Sequence, residues 1–317
     1  DADTVSSFTG SISALNTMFA AKAASGDGIS FSGSAGAADQ TVSISDTTDV
    51  SVTGLNTLNG NTTGNIDATN VTSLASASIS DIKTLLTNGN NSTNNFAATS
   101  FQSLATVAVS DTTVSIADLN DAITQANTAT GGTTTVFSVA SGATITTGDE
   151  AAFSTLLTNE SNGNIAITDQ NLTVSSGTIS VDNANLLNAT TTGTVTATIS
   201  SSSVDSLKTL TGTNAYTITI ASGDATGSTA AELTAIDNAT TVAVDASADT
   251  ALSGSYSEIV ALYESSGVSG FGDESITITG GNLSVTEANV IDALTTGTIT
   301  ASIATDSTVD SLKTLTG

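Results

Sequence analysis

The chain has 317 residues, with 30 Asp or Glu against four lysines, no Arg and no His, for a net charge of −26. A protein that grips nucleic acid or an anionic membrane needs Lys and Arg to displace counterions, so this balance excludes both as targets. Without Cys or His there is no disulfide framework and none of the usual ligands for zinc, copper or haem.

Charged residues make up 11% of the chain, against about 25% in ordinary soluble domains. Hydrophobic content is 38%, and its Val, Ile and Leu recur in regular places, which favours a thin repetitive core over disorder. Salt shortens the Debye length to about 3 Å at 1 M, so an acidic, Lys-poor surface suits a salty exterior such as seawater. Proline is absent, which favours unbroken β ladders without stiff linkers.

In chain order, residues 1–40 are the least regular and are expected to form an irregular N-terminal segment or cap. From residue 41 onward two signals alternate. Short period-two runs rich in Thr, Val and Ile predict strands at 41–45, 106–110, 164–168, 194–200, 216–220, 241–246, 275–279 and 298–303. Segments opened by a capping Ser, Thr or Asp predict short helices at 115–123, 146–157, 228–236, 255–263 and 285–294. Leu119 with Ile123, and Leu233 with Ile236, put apolar groups on one helical face.

Longer segments then repeat. Val181–Ser200 (VDNANLLNATTTGTVTATIS) returns as Val285–Ala304 (VTEANVIDALTTGTITASIA), and SVDSLKTLTG at Ser203–Gly212 returns as TVDSLKTLTG at Thr308–Gly317. The phase places super-repeats at roughly 107–212 and 213–317, and a shorter cassette at 54–74 carries the related TTGNIDAT. Such self-similarity predicts an α/β repeat solenoid over 41–317. Each coil would give one strand to a parallel sheet and one short capped helix to the other wall. A right-handed parallel β-helix is the alternative.

No catalytic residues are assigned, and no cofactor is required: the commonest bases and nucleophiles are missing, so an enzyme is not expected. Acidic clusters at Ser25–Gly28, Ser45–Asp49, Gly148–Glu150 and Gly272–Ser275 could hold Ca²⁺ weakly, but none matches a known loop, and turn and cap formation is their ordinary use. Asp205 with Lys208, and Asp310 with Lys313, are spaced for intrahelical pairs; Lys83 sits in a similar context, and an intermolecular bridge is the alternative. Sequons at Asn61, Asn91, Asn171, Asn188, Asn238 and Asn282 arise readily in so polar a sequence. No apolar run of membrane-spanning length and no signal-peptide pattern is found. Both ends read as the edges of something longer.

The cassettes SVTEANVIDALTTGTITASI and SVDSLKTLTG resemble the Thr-, Ala- and Asp-rich repeat regions of giant surface proteins of marine bacteria, notably picocyanobacteria. The resemblance runs from about Val42 onward and implies export and a structural role at the cell surface. The expected function is therefore an extracellular structural repeat protein: part of a surface filament, sheath, S-layer or giant adhesin. It would assemble as a homopolymer or continue a longer chain. A fibre shaft that binds surface glycans or a receptor is the alternative.

Overall fold

A computed structural model describes residues 7–23, 40–91, 95–97, 100–132, 134–221, 227–305 and 307–316. It is an α/β fold whose described strand pairs are parallel, with eleven helices among the described residues. The chain divides into two compact units, 1–173 with 190–193, and 174–189 with 194–317.

Most of the described helices begin at a capping polar side chain, Ser203 before Val204–Leu207 being one that makes no such bond. Ser51, Ser78 and Ser115 accept the N–H of the residue three positions on, as do Asp149, Thr229, Ser255 and Ser284. At Thr229, Ser255 and Ser284 a Glu three residues later returns the bond to the cap N–H, completing a capping box. The backbone N–H of Ser255 and of Ser284 holds the carboxyls of Glu258 and Glu287 below their ordinary range.

In the first unit, Ser7–Gly10 pairs with Thr41–Ile44, which pairs with Ile66–Asp67. A second ladder runs Ser73–Ala77, Thr106–Val109, Val136–Val139, Ile165–Ala166, and a third pairs Thr113–Ser115 with Thr144–Gly148. In the second unit, Val195–Thr198 pairs with Ala215–Thr217, and Val244–Asp245 with Val268–Ser269. Ser228–Thr229, Ala251–Gly254, Ser275–Leu283 and Ile299–Ile303 form its longest ladder.

The repeating element is thus a strand–strand–helix module, not the single strand and helix expected from the pattern. Val136–Val139, Thr144–Gly148 and Glu150–Ser161 make one module; Val244–Asp245, Ala251–Gly254 and Tyr256–Glu264 make another. Second strands such as TITTG and ALSG escape a period-two reading because they end in Gly, which breaks the alternation of branched residues. That Gly is needed for packing: a methyl group at Gly148 would run into Ile116 of the preceding module. Paired residues lie far apart in sequence at Ser7–Thr41 and close at Thr196–Ala215, so the connecting loops absorb insertions while the ladders keep step.

Alternate strand residues and one helical stripe point inward. Val107, Val109 and Phe137 from strands and Leu119, Ile123 and Ala126 from a helix are all buried in the first unit, each large side chain contributing about 1.5–3 kcal/mol by leaving water. The threonine-glycine turn after the helix is a second fixture. Thr191 donates from Oγ1 to Gln170 O (2.6 Å) and accepts Gly193 N–H (2.9 Å), and Thr295 does the same with Glu274 O (2.7 Å) and Gly297 N–H (2.9 Å). The segment 1–40 holds the strand Ser7–Gly10 and the helix Ile12–Ala23. Its candidate cluster Ser25–Gly28 lies outside the described residues.

Candidate inter-module interface

The seams between successive helices carry the chain's most specific polar chemistry. The fifth helical residue repeatedly reaches the next module. Asn16 Nδ2 donates to Gly54 O (2.9 Å), Asn56 to Asp81 O (3.1 Å) and Asn120 to Ala152 O (3.1 Å). In the second unit Asn185 donates to Thr209 O (2.9 Å) while its Oδ1 accepts Thr211 N–H (2.8 Å). Asn289 makes the same clamp, donating to Thr314 O (2.8 Å) and accepting Thr316 N–H (3.0 Å). A carboxamide suits this position because it offers a donor and an acceptor at once.

Lysine takes the equivalent position at 83, 208 and 313, whereas Ser154, Thr234 and Val260 hold it in the helices Glu150–Ser161, Ala230–Asn238 and Tyr256–Glu264. Lys83 Nζ lies 2.7 Å from Asp118 and 3.0 Å from Asp121 of the next helix. Lys208 Nζ lies 2.6 Å from Asp205 in its own helix and 2.9 Å from Glu232 in the next. Lys208 therefore joins the intrahelical pair read from its spacing to a bridge between modules of one chain. The hydrogen bonds that Lys83 donates to Asp118 and Asp121 hold its ammonium above its ordinary range, and those that Lys208 donates to Asp205 and then Glu232 do the same there. Lys208 in turn holds the Glu232 carboxyl low. Lys313 has its own Asp310 at 3.0 Å.

The Asn clamps are absent from the sequence-based expectations, although a signal was available. An apolar residue, then Asn or Lys, then another apolar residue two positions on recurs in LNTM, LNTL, IKTL, LNDA, ANLL, LKTL and ANVI.

The acidic clusters serve the backbone. Asp46 Oδ2 in Ser45–Asp49 accepts the Ile12 N–H at 2.6 Å, and Asp111 Oδ2 accepts Ile79 N–H at 2.6 Å in the same way. A carboxylate from one module thus complements the positive end of the preceding helix. In Gly148–Glu150, Asp149 is the helix cap. In Gly272–Ser275, Glu274 Oε2 accepts the N–H groups of Gly272 (2.8 Å) and Asp273 (3.2 Å). Among the described residues no three Asp or Glu converge to hold a metal ion. Of the sequon residues, Asn188 is engaged between modules: it donates to Thr211 Oγ1 (3.2 Å) and accepts from Asn214 Nδ2 (2.8 Å). No helix among the described residues is long and apolar enough to cross a membrane.

The two copies of VDSLKTL differ in exposure. Val204, Leu207 and Leu210 are 4%, 0% and 9% exposed, whereas Val309, Leu312 and Leu315 are 71%, 40% and 41% exposed. The first copy is covered by the module holding Ala215–Thr217 and Ala230–Asn238. Beyond the second copy Ile299–Ile303 is the outermost strand of its sheet. Beside it a cavity of about 390 Å³ is lined by Ala288, Asp292, Ile299, Ala301, Ile303 and Leu315 among others. No known family model and no curated protein matches this chain.

Proposed function

We propose that the modules stack as an α/β solenoid and that the chain is an extracellular structural repeat protein. It would serve as part of a cell-surface filament, sheath, S-layer or giant adhesin. The observation that carries this reading is the use of the polar side chains on the helical wall. Asn16, Asn56, Lys83, Asn120, Asn185, Lys208 and Asn289 all tie one module to the next. Such a chain spends its specific contacts on propagating one geometry, which is what a stacked array requires.

Charge fits the same role. At −26 the copies repel in dilute buffer, and salt removes that repulsion at short range. Assembly should therefore strengthen from low to marine ionic strength. Neither metal nor cofactor is required for it, and weak Ca²⁺ binding by surface carboxylates would add to it. Negative-stain microscopy with sedimentation velocity, across a salt series with and without EDTA, tests the reading. Periodic filaments or lattices that grow with salt are expected. A chain that stays monomeric at every salt concentration would remove the building role.

A further inference from the structure

Two equivalent corners of the fold, one in each unit, differ in their donors and their charge. In the first unit Asn171 N–H donates to Ala143 O at 2.8 Å, and in the second Ser275 N–H donates to Thr250 O at 3.0 Å. This register makes Gln170 the equivalent of Glu274, and Gly142 the equivalent of Asp249. At the first corner the carboxamide is satisfied at both ends. Gln170 Oε1 accepts the N–H groups of Thr168 and Asp169, and Nε2 donates to Val139 O and Ala140 O of the preceding module.

At the second corner that donor is replaced by an acid, and a second acid stands beside it. Glu274 is 1% exposed and Asp249 8%. Glu274 Oε2 accepts the N–H groups of Gly272 and Asp273, and Asp249 Oδ1 accepts Ala251 N–H at 3.4 Å. The other oxygen of each, Glu274 Oε1 and Asp249 Oδ2, is buried without a hydrogen-bond partner. By the same register Ala246 O and Ser247 O hold the places of the two carbonyls that receive the Gln170 amide. Gly270 lets the two modules meet closely there, since a methyl group on it would run into Ser247. Lys83, Lys208 and Lys313 all face other carboxylates. A buried carboxylate oxygen without a donor or counter-charge is costly, and oxygens alone are the ligands that a hard cation takes.

We propose that Asp249 and Glu274 form a calcium site between two successive modules. The ion would take Glu274 Oε1 and Asp249 Oδ2, with Ala246 O, Ser247 O and water completing a shell of about six to eight oxygens. Two carboxylates suffice when backbone carbonyls supply the rest. Calcium fits better than magnesium, because its longer bonds and flexible geometry accept carbonyls at a packed corner, whereas magnesium keeps much of its water. Thr250 and Asp273, both exposed, flank the buried pair and leave the corner one residue below the surface. The site does not depend on the chain assembling with its copies.

The test is a calcium titration of the full chain by calorimetry in about 0.5 M NaCl, which screens the exposed acids, read together with amide hydrogen exchange. One equivalent should bind with a Kd of about 10⁻⁴–10⁻³ M. At saturation, exchange over residues 246–252 and 270–276 should slow by about threefold or more. Glu274→Gln and Asp249→Asn should each weaken binding by about tenfold or more, while Asp310→Asn, at an exposed carboxylate, should leave it unchanged. Urea melts in EDTA confirm that each variant folds, and should Asp249→Asn fail to fold, Glu274→Gln decides alone. Binding that a folded Glu274→Gln or Asp249→Asn chain retains in full overturns the site, as does equal weakening by Asp310→Asn. A chain whose heats and exchange both ignore calcium overturns it too. Magnesium binding as tight as calcium binding overturns the assignment of the ion.

Discussion

Val204–Thr211 and Val309–Thr316 are the same eight residues, VDSLKTLT, in two surroundings. In the first, the apolar residues are core and the lysine joins two helices; in the second, the apolar residues are surface and the lysine stays within its own helix. Burial and charge pairing in a repeat are therefore properties of the neighbour, supplied by the module that follows. The Asn185 and Asn289 clamps make the complementary point. Each closes on its own VDSLKTLT run, and both have the same geometry. Contacts toward the preceding module are the same in both copies.

The largest expected effect tests that asymmetry directly. Leu207→Ala should cost about 3 kcal/mol or more, because it removes wholly buried methyl groups from a packed seam. Leu312→Ala should cost below about 1 kcal/mol, since water already reaches that side chain. Urea melts of both variants, with hydrogen exchange to localise the loss, check the pair. Equal costs would mean that the two runs share one environment.

Next in size is an alkaline effect that only the covered copy can show. Burial raises the Tyr216 hydroxyl from its ordinary 10.0 to about 12. A raised value means that the folded state holds the proton more tightly, so the stabilisation is complete below pH 10 and is lost as pH climbs through 12. The loss over that window should be about 2–3 kcal/mol. Tyr216→Phe should remove that part of the pH dependence while costing about 0.5–1.5 kcal/mol below pH 9 through the lost bond to Ala184 O. Stability curves at closely spaced pH values read both, and an unchanged alkaline slope in the variant would place the titrating group elsewhere.

Much of this architecture was legible in the sequence, and the reasons differ by element. Runs such as Thr106–Val109 were visible because β-branched residues alternate there without interruption. The capped helices at Ser115 and Ser255 were visible because a hydroxyl followed by an acid three residues later is a local signal. Second strands such as Thr144–Gly148 and Ala251–Gly254 were hidden because Gly and small residues break their alternation, whereas Ser275–Leu283 showed itself through SITIT. Asn185 and Asn289 were hidden for another reason: a polar residue inside a helix reads as solvated surface unless its partner in the next module is known. Tyr216 stood inside a predicted strand, yet nothing local marks it as the side chain that fills a seam.

A third effect contrasts the turns that open equivalent strands. Gln170 accepts the N–H groups of Thr168 and Asp169 through Oε1 and turns Nε2 to Val139 O (3.1 Å) and Ala140 O (3.3 Å). Glu274 repeats the accepting half with Oε2, but its Oε1 is buried without a hydrogen-bond partner. A carboxamide would place a donor there in place of an oxygen that nothing serves. Glu274→Gln should therefore stabilise the chain by about 1 kcal/mol at neutral pH. A lowered urea midpoint would show that the acid is served by a partner of its own.

The smallest expected effect separates the two lysines. Lys208 is held above its ordinary range by Asp205 and Glu232, and Glu232 is held below its own by Lys208. A raised lysine contributes below its ordinary value and loses that contribution as pH rises; a lowered carboxyl contributes above its ordinary value and loses it as pH falls. The bridge should thus be felt across the neutral plateau and fade at both ends. Because both side chains are partly open to water, Lys208→Met should lower Tm by only about 1–2 °C at low salt. Lys313→Met should leave Tm unchanged, since its partner Asp310 is nearly bare to solvent. A double-mutant cycle with Glu232→Gln isolates the bridge between modules from the Asp205 pair. Coupling that survives 1 M NaCl undiminished would mean the seam excludes water more completely than these exposures allow. Coupling that vanishes would leave the apolar residues as the part of VDSLKTL that holds the following module, beside the strand ladder and the Asn188–Asn214 bond.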